Sequence, residues 1–237
     1  MLLHSFKNKL LLQNMSINFK LHNRNFLNRI AYIIKNFTEP KLSEPPFNHI
    51  TQIGDPILRK RASSVPEDSL QTNEVKLLID QMIKVLRKYQ LVGIAAPQIG
   101  ISLRIMVMEF SEKPKDQISS VLHSSKQMQN FPLKVFINPE MKITNYNKIS
   151  FEEGCASVKG FTGEVDRYEE IILSGFDIKG EKQNVNLKGW NARIAQHEMD
   201  HLNGALYIDK MNSRTFRCTL WETINANGGR IEIPYYK

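Results

Sequence analysis

In TNEVKLLIDQMIKVLRKYQ, Val75, Leu78, Ile79, Met82, Ile83 and Leu86 recur at intervals of three and four residues, with polar residues between them. That spacing puts the apolar positions on one face and predicts an amphipathic helix. A second helical stretch, WNARIAQHEMDHLNG, ends at Gly204, a residue suited to helix termination. Between the two, LRIMVMEF, VFINPEMKI and EEIILSGFDI are β-rich runs bounded by Gly, Asn or Pro, and they predict strands. ITQIGDPILRKRASSVP reads as an extended segment and a turn. The Ser-, Lys- and Gln-rich stretch between Phe110 and Phe131 reads as an inserted surface loop. The order helix, strands, helix predicts an α+β domain rather than alternating βαβ units.

Composition adds a boundary. A chain of 237 residues fits one domain of moderate size with an appendage, and it can bury a full core without disulfides. Cys155 and Cys218 are its two cysteines, which excludes a secreted disulfide scaffold and leaves each as a core residue or a ligand; Cys218 reads as structural. The formal charge of +8 would ordinarily suggest nucleic acid, but Met1 to Thr38 contain no acid and carry Lys7, Lys9, Lys20, Arg24, Arg29 and Lys35. The excess therefore sits largely in a leader, and specific nucleic-acid binding is not expected. The leader's apolar residues come in short bursts, and a membrane span needs about 20 in succession, so none is expected. Residues 1–38 read as an organellar transit peptide, 39–47 with their three prolines as a linker, and 48–237 as the folded domain.

The candidate chemistry begins at QHEMDH. Residues four apart on a helix share a face, so His197 and His201 can reach one metal ion, with Glu198 beside them as a general base. The spacing leaves the third ligand unnamed; it can be His, Cys, Asp or Glu. FEEGCASVKG offers Cys155 among small neighbours that permit close backbone approach. In LVGIAAPQIG, Gly93 and a run of small residues place Gln98 in a tight loop after the first helix. A metallopeptidase with this helix motif takes a further His or Glu downstream, yet no histidine follows His201, and Glu222 and Glu232 lie in a tail without helical signal. The alternatives are such a peptidase and a non-catalytic binding protein.

VGIAAPQ, EGCAS and QHEMDH, in this order, resemble the three motifs of the peptide deformylases. GDPILR, INPE, GEVDRYEE and HLNGALYIDKMNSRTF extend the resemblance over about residues 48 to 220 and point to its animal mitochondrial branch. The resemblance implies an α+β deformylase-like fold, with antiparallel or mixed sheets packed around a central helix that carries HEMDH. It implies Cys155, His197 and His201 as ligands to one divalent ion, Fe²⁺ by preference with Zn²⁺ or Co²⁺ as other occupants. Glu198 is then the base, and the Gln98 amide and the Ala156 backbone N–H stabilise the oxyanion. Val92, Gly93 and Gly154 lie along the bound peptide, while Phe151, Trp190 and Ile194 line the pocket for its first side chain. Glu153 and Arg167 form a bracing ion pair. Arg193 has three open readings: snorkelling, pairing with an acid, or meeting the peptide. Leu91 and Ala156 depart from the usual motif residues and imply a changed pocket shape. The implied partners are formyl-methionyl nascent peptides and the mitochondrial ribosome, and the implied location is the mitochondrial matrix.

Overall fold

The first helix, α1 (Asn73–Lys88), forms where the apolar spacing predicts it. The Thr72 side chain caps its start by accepting from the Val75 N–H, and Arg87 and Lys88 complement the dipole at its end. Its buried face comprises Val75, Leu78, Ile79, Met82, Val85 and Leu86, with Ile83 at the margin. Complete burial of a residue such as Ile79 or Met82 contributes roughly 1.5–3 kcal/mol. This computed structural model describes residues 43–111, 127–233 and 235. The leader expected at 1–38 and most of the expected surface insertion lie outside the described residues.

The strands form one six-stranded antiparallel sheet. They are β1 (Gly93–Ala95), β2 (Ile105–Phe110), β3 (Phe131–Cys155), β4 (Val158–Phe176), β5 (Lys182–Lys188) and β6 (Arg217–Cys218). Their order is β1-β2-β3-β4-β5, and β6 pairs with β4. VFINPEMKI proves to be part of a strand of 25 residues and EEIILSGF part of one of 19, with Asp177 and Ile178 beyond its end. The β3–β4 register runs from Ile137↔Phe176 to Cys155↔Val158, interrupted by irregularities such as those at Ile143/Asn145 and Asn145/Lys148. The polar central part of β3 escapes a hydrophobicity pattern because backbone pairing rather than side-chain burial holds it.

The second helix, α2 (Gly189–Leu202), packs Ala192, Ile194, Ala195, Met199 and Leu202 against Met106, Met108, Phe136, Ile171 and Leu173. Asn191, Arg193, Gln196, Glu198, Asp200 and His201 on the same helix are buried too. Burial of so many polar groups is unfavourable unless they find partners. Gln196 illustrates the solution: its amide accepts from Tyr168 N at 3.0 Å and donates to Tyr168 O at 2.8 Å, tying α2 to β4. Gly204 stops the chain's helical course at φ +75°, where an added Cβ would meet Arg59 O at 2.7 Å.

Two expectations need correction. The tail after His201 does contain a helix, α3 (Trp221–Ala226), too short at 6 residues to show a periodic pattern. Cys218 is only partly buried, on the short edge strand β6, so it is not a core residue. The compact unit takes in Pro45 to Lys237, with the Phe47 N–H donating to Ile99 O at 2.9 Å. Among the described residues, no helix is long and apolar enough to cross a membrane.

Candidate metal centre

Helix α2 places His197 and His201 one turn apart, with ring centroids separated by 5.0 Å. Cys155, the last residue of β3, brings its Sγ to 3.2 Å from His201 Nε2. One ligand atom from each of Cys155, His197 and His201 falls within 4.8 Å of the others. Strand β3 ends there in a tight turn, which the Gln52 amide holds by donating to Ala156 O at 2.9 Å. The Ile53 N–H adds a bond to Ser157 O at 2.7 Å.

The electrostatics of these groups suit a cation. Burial alone would push the Cys155 thiol up, but the facing imidazoles hold it well below the usual thiol range. Burial would likewise lower His197, and its bonds to Cys155 and Glu153 raise it well above the usual imidazole value. A thiolate gathered with a protonated imidazole is a donor set ready to exchange its proton for a divalent ion. One thiolate and two imidazoles fit Zn²⁺ or Fe²⁺ and leave a fourth position for chemistry.

Glu198 follows His197 and is 3% exposed. Burial pushes its carboxyl up to about 7, against the pull of the two imidazoles. Its Oε2 has no hydrogen-bond partner among the described residues, which leaves it an acceptor for something bound in the cleft. Gly93 is what lets it fit, since a Cβ there would lie 2.5 Å from Glu198 Oε1.

Gln98 lies in a 3₁₀ turn just after β1 and is also buried. Its Oε1 accepts from the Ala95 N–H at 2.9 Å, and its Nε2 donates to Ser157 Oγ at 3.3 Å and approaches Cys155 Sγ at 3.8 Å. The backbone bond sets the amide's orientation, with the NH₂ towards the cysteine.

Behind the ligands stands a buried ionic cluster. Glu153 Oε2 accepts from His197 Nδ1 at 3.0 Å, and the carboxylate also takes two 2.9 Å bonds from Arg167 and one of 2.7 Å from Arg193. Arg167 reaches on to Asp200 at 2.6 Å, and Asp200 is bound in turn by Lys210. Burial would raise Glu153; its bonds to His197 and Arg167 more than offset that and hold it well below the carboxylate range. The Arg167–Glu153 contact is the ion pair expected from the sequence. Of the three readings of Arg193, the acid pair is the one observed, although Arg193 also borders the cleft.

That cleft, about 170 Å³, is lined by Val92, Gly93, Gln98, Gly154, Cys155, Ala156, Trp190, Arg193, Ile194, His197 and Glu198, with Leu91, Glu152 and Glu153. The expected site residues thus come together, with one exception. Phe151 lines a separate cavity behind Trp190 and Arg193, because its position on β3 puts it beside Tyr168 and Ile149 instead. Sequence reasoning missed Ser157, Gln52 and Tyr207. Ser157 closes the EGCAS motif, which is the signal that could have found it, and is fully buried. Tyr207, whose ring packs near that of His197 with centroids 6.4 Å apart and whose hydroxyl donates to Phe161 O at 2.9 Å, lies within HLNGALYIDKMNSRTF, where nothing singled it out.

Comparison with known proteins agrees with this geometry. The human mitochondrial peptide deformylase is 41% identical over 182 residues, covering 77% of this chain and 75% of that protein. The Arabidopsis thaliana peptide deformylase 1A, chloroplastic/mitochondrial, is 44% identical over 173 residues, covering 71% of this chain and 62% of that protein. A solved class I type b peptide deformylase from Acinetobacter baumannii, bound to Met-Ala-Ser, superposes with a TM-score of 0.60 at 31% identity, covering 68% of this chain and 97% of that one. The Synechococcus elongatus enzyme in complex with actinonin gives 0.60 at 30% identity, covering 82% and 92%. Residues 47–217 match the sequence model of the polypeptide deformylase family, and the chain belongs to that family.

Proposed function

We propose that this chain removes the formyl group from the N-terminal formyl-methionine of newly made organellar polypeptides, with Cys155, His197 and His201 holding the metal and Glu198 moving the proton. The observation that carries this reading is the gathering of the three donors within 4.8 Å, with the unpartnered Glu198 Oε2 in the adjoining cleft. A divalent ion bound there supplies Lewis acidity, which makes water nucleophilic near neutral pH and polarises the formyl carbonyl.

The protein's own groups do the rest. Glu198 takes a proton from the attacking water and returns it to the departing amine as the carbon–nitrogen bond breaks. Formate and a free N-terminus are released, so atoms and charge balance. Gln98 Nε2 and the Ala156 N–H donate to the oxygen that gains negative charge; the Ala95 bond to Gln98 Oε1 keeps that donor pre-aimed. Strand β1 ends the sheet order, so an extended peptide can add along Val92 and Gly93 by backbone pairing, which is indifferent to sequence. The cleft walls at Trp190, Ile194 and Arg193 receive the first side chain, with Gly154 on the opposite strand.

Fe²⁺ is the proposed native ion, with Zn²⁺ or Co²⁺ as alternative occupants, since a thiolate with two imidazoles suits all three. The basic, acid-free residues 1–38 act as the transit peptide into the mitochondrial matrix, residues 39–47 as the linker, and the rest as the catalytic domain that meets its substrates at the mitochondrial ribosome. The deciding experiment measures formate release from formyl-Met-Ala-Ser, beside an assay for internal peptide cleavage, with protein loaded anaerobically with each metal. Formate release without internal cleavage, fastest with Fe²⁺, is expected; Glu198→Gln should keep its metal and lose a factor of about 10² to 10⁴. Internal cleavage, or binding of the formyl peptide without turnover, would overturn the reading.

A further inference from the structure

Both turns that carry the site are tied to one segment, residues 51–53. The Thr51 N–H donates to Gln98 O at 2.9 Å and its hydroxyl to Pro97 O at 3.3 Å, which fastens the turn holding Gln98. The Ile53 N–H donates to Ser157 O at 2.7 Å, which fastens the turn after Cys155. Gln52 stands between these two anchors and sends its side chain towards the cysteine. Its Nε2 donates to Ala156 O at 2.9 Å and to Ile50 O at 3.2 Å, so the amide is held from two sides.

The carbonyl that Gln52 grips belongs to a peptide unit with a second task. The other end of that unit is the Ser157 N–H, which donates to Cys155 Sγ at 3.4 Å. Hydrogen bonds at the two ends of one amide polarise each other, because drawing electron density to the oxygen makes the N–H a better donor. The route from Gln52 to the ligand sulfur is therefore one peptide plane with a hydrogen bond at either end. Ala156 also carries the N–H assigned to the oxyanion, and pinning its carbonyl limits rotation of that residue's backbone. Gln52 itself is half-buried and is not among the residues lining the cleft, so it reaches neither substrate nor ion by contact.

We infer that Gln52 is a positioning residue for the metal centre: through the Ala156–Ser157 peptide it sets the N–H bond to the Cys155 sulfur and holds the Ala156 N–H in place. Its effect on turnover rests on the deformylase reading, whereas its effect on the sulfur requires only that Cys155 bind an ion. A hydrogen bond to a ligand fixes its orientation and draws charge from it, and such partners are typically worth 10- to 100-fold in metal affinity. Gln52 acts one bond further back, so its loss belongs at the lower end of that range.

The experiment uses the Co²⁺-loaded protein, because the sulfur-to-cobalt charge-transfer band reports electron density on the thiolate without any substrate. Wild-type protein, Gln52→Met, Gln52→Ala and Thr51→Val are compared. Methionine keeps the length of glutamine and removes the donor, while Thr51→Val removes a side-chain bond of the same segment on the Gln98 side. In both Gln52 variants the band should move to longer wavelength, and Co²⁺ affinity, measured against a chelating indicator, should fall by about tenfold. On formyl-Met-Ala-Ser, kcat should fall by about tenfold with KM within about threefold, since a displaced oxyanion donor is felt in the transition state. Thr51→Val should leave the band and the affinity where they are. Unfolding midpoints should stay within about 4 °C of wild type, because the Ile53–Ser157 backbone bond remains. A silent Gln52→Met beside an affected Gln52→Ala would reduce Gln52 to packing and overturn the inference. A band shift of equal size in Thr51→Val would mean general loosening of the segment, and would overturn it too, as would a band and affinity unmoved in both Gln52 variants. No sulfur-to-cobalt band in the wild type would take Cys155 off the metal and the inference with it. A wild-type protein with the expected band that releases no formate would instead strike at the deformylase reading.

Discussion

His197 Nδ1 and Glu153 Oε2 lie 3.0 Å apart, and this contact fixes which imidazole nitrogen faces the ligand cluster. The carboxyl is held well below its usual range and is therefore ionised, and an ionised carboxylate only accepts. The proton sits on Nδ1, which leaves Nε2 for a metal ion. Glu153→Gln keeps an oxygen acceptor but loses the charge that makes the imidazole a better donor. Metal affinity should fall by roughly 10- to 100-fold, measured by competition with a chelating indicator. Unchanged affinity would mean that the ring is oriented by packing alone.

Gly93→Ala tests how tightly the base is confined. The new Cβ would stand 2.5 Å from Glu198 Oε1, and the three atoms nearest to it all belong to Glu198, so the carboxylate must shift. A displacement of this kind should lower kcat on the order of 100-fold with metal content unchanged. Loss of metal in parallel would place the damage in the ligand set.

Much of this site is legible in the amino-acid sequence. The four-residue spacing of His197 and His201 puts both on one face of any helix, and the small neighbours of Cys155 signal the close backbone approach found there. Helix α1 is legible for the same reason, since its apolar stripe follows its burial almost residue for residue. The features that do not show in the sequence depend on partners distant along the chain. The full lengths of β3 and β4 come from pairing with each other, and neither strand's polar residues announce it. Apolar character alone puts Phe151 in the catalytic cleft, whereas its face is decided by the register Phe151↔Val165 and the irregularities before it. Arg193 stays ambiguous in sequence because its carboxylate, Glu153, is forty residues away.

Arg167 should be the most sensitive residue for stability among those with no place in the cleft lining. It bridges Glu153 and Asp200, both nearly inaccessible to water. Arg167→Gln leaves each carboxylate with one remaining cation, Arg193 for the first and Lys210 for the second. The loss should sit near the lower end of the range for breaking a buried pair, about 3 kcal/mol in urea unfolding of the metal-loaded protein. A loss below about 1 kcal/mol would show that those two cations suffice.

The pair of Asp209 with Arg59 makes one contribution to the pH dependence of stability. Burial would raise Asp209, but its bonds to Arg59 and to the Leu206 N–H hold it below the ordinary carboxylate value. Because the folded state binds this proton less readily than the unfolded state, the stabilisation is fully present above the unfolded value of about 3.9 and is lost as pH falls through the lower folded value. Both groups are substantially exposed, so Arg59→Ala should lower stability by only about 0.5 kcal/mol at neutral pH. The difference between variant and parent should vanish in strong acid. A difference that stays constant down to the lowest pH would assign it to packing of the arginine stem.

Two corners of the metal-binding triangle sit on one rigid rod, and the third sits at the tip of a long paired ribbon. The separation of the His197 and His201 backbones is set by a single helical turn. The position of Cys155 depends instead on how β3 is clamped to β4 and to the segment carrying Gln52 and Ile53. Of the three corners, the sulfur is thus the one whose backbone position rests on contacts between distant segments. The shape of the donor triangle is therefore adjustable from residues outside it, through the ribbon's anchorage at Gln52 and Ile53.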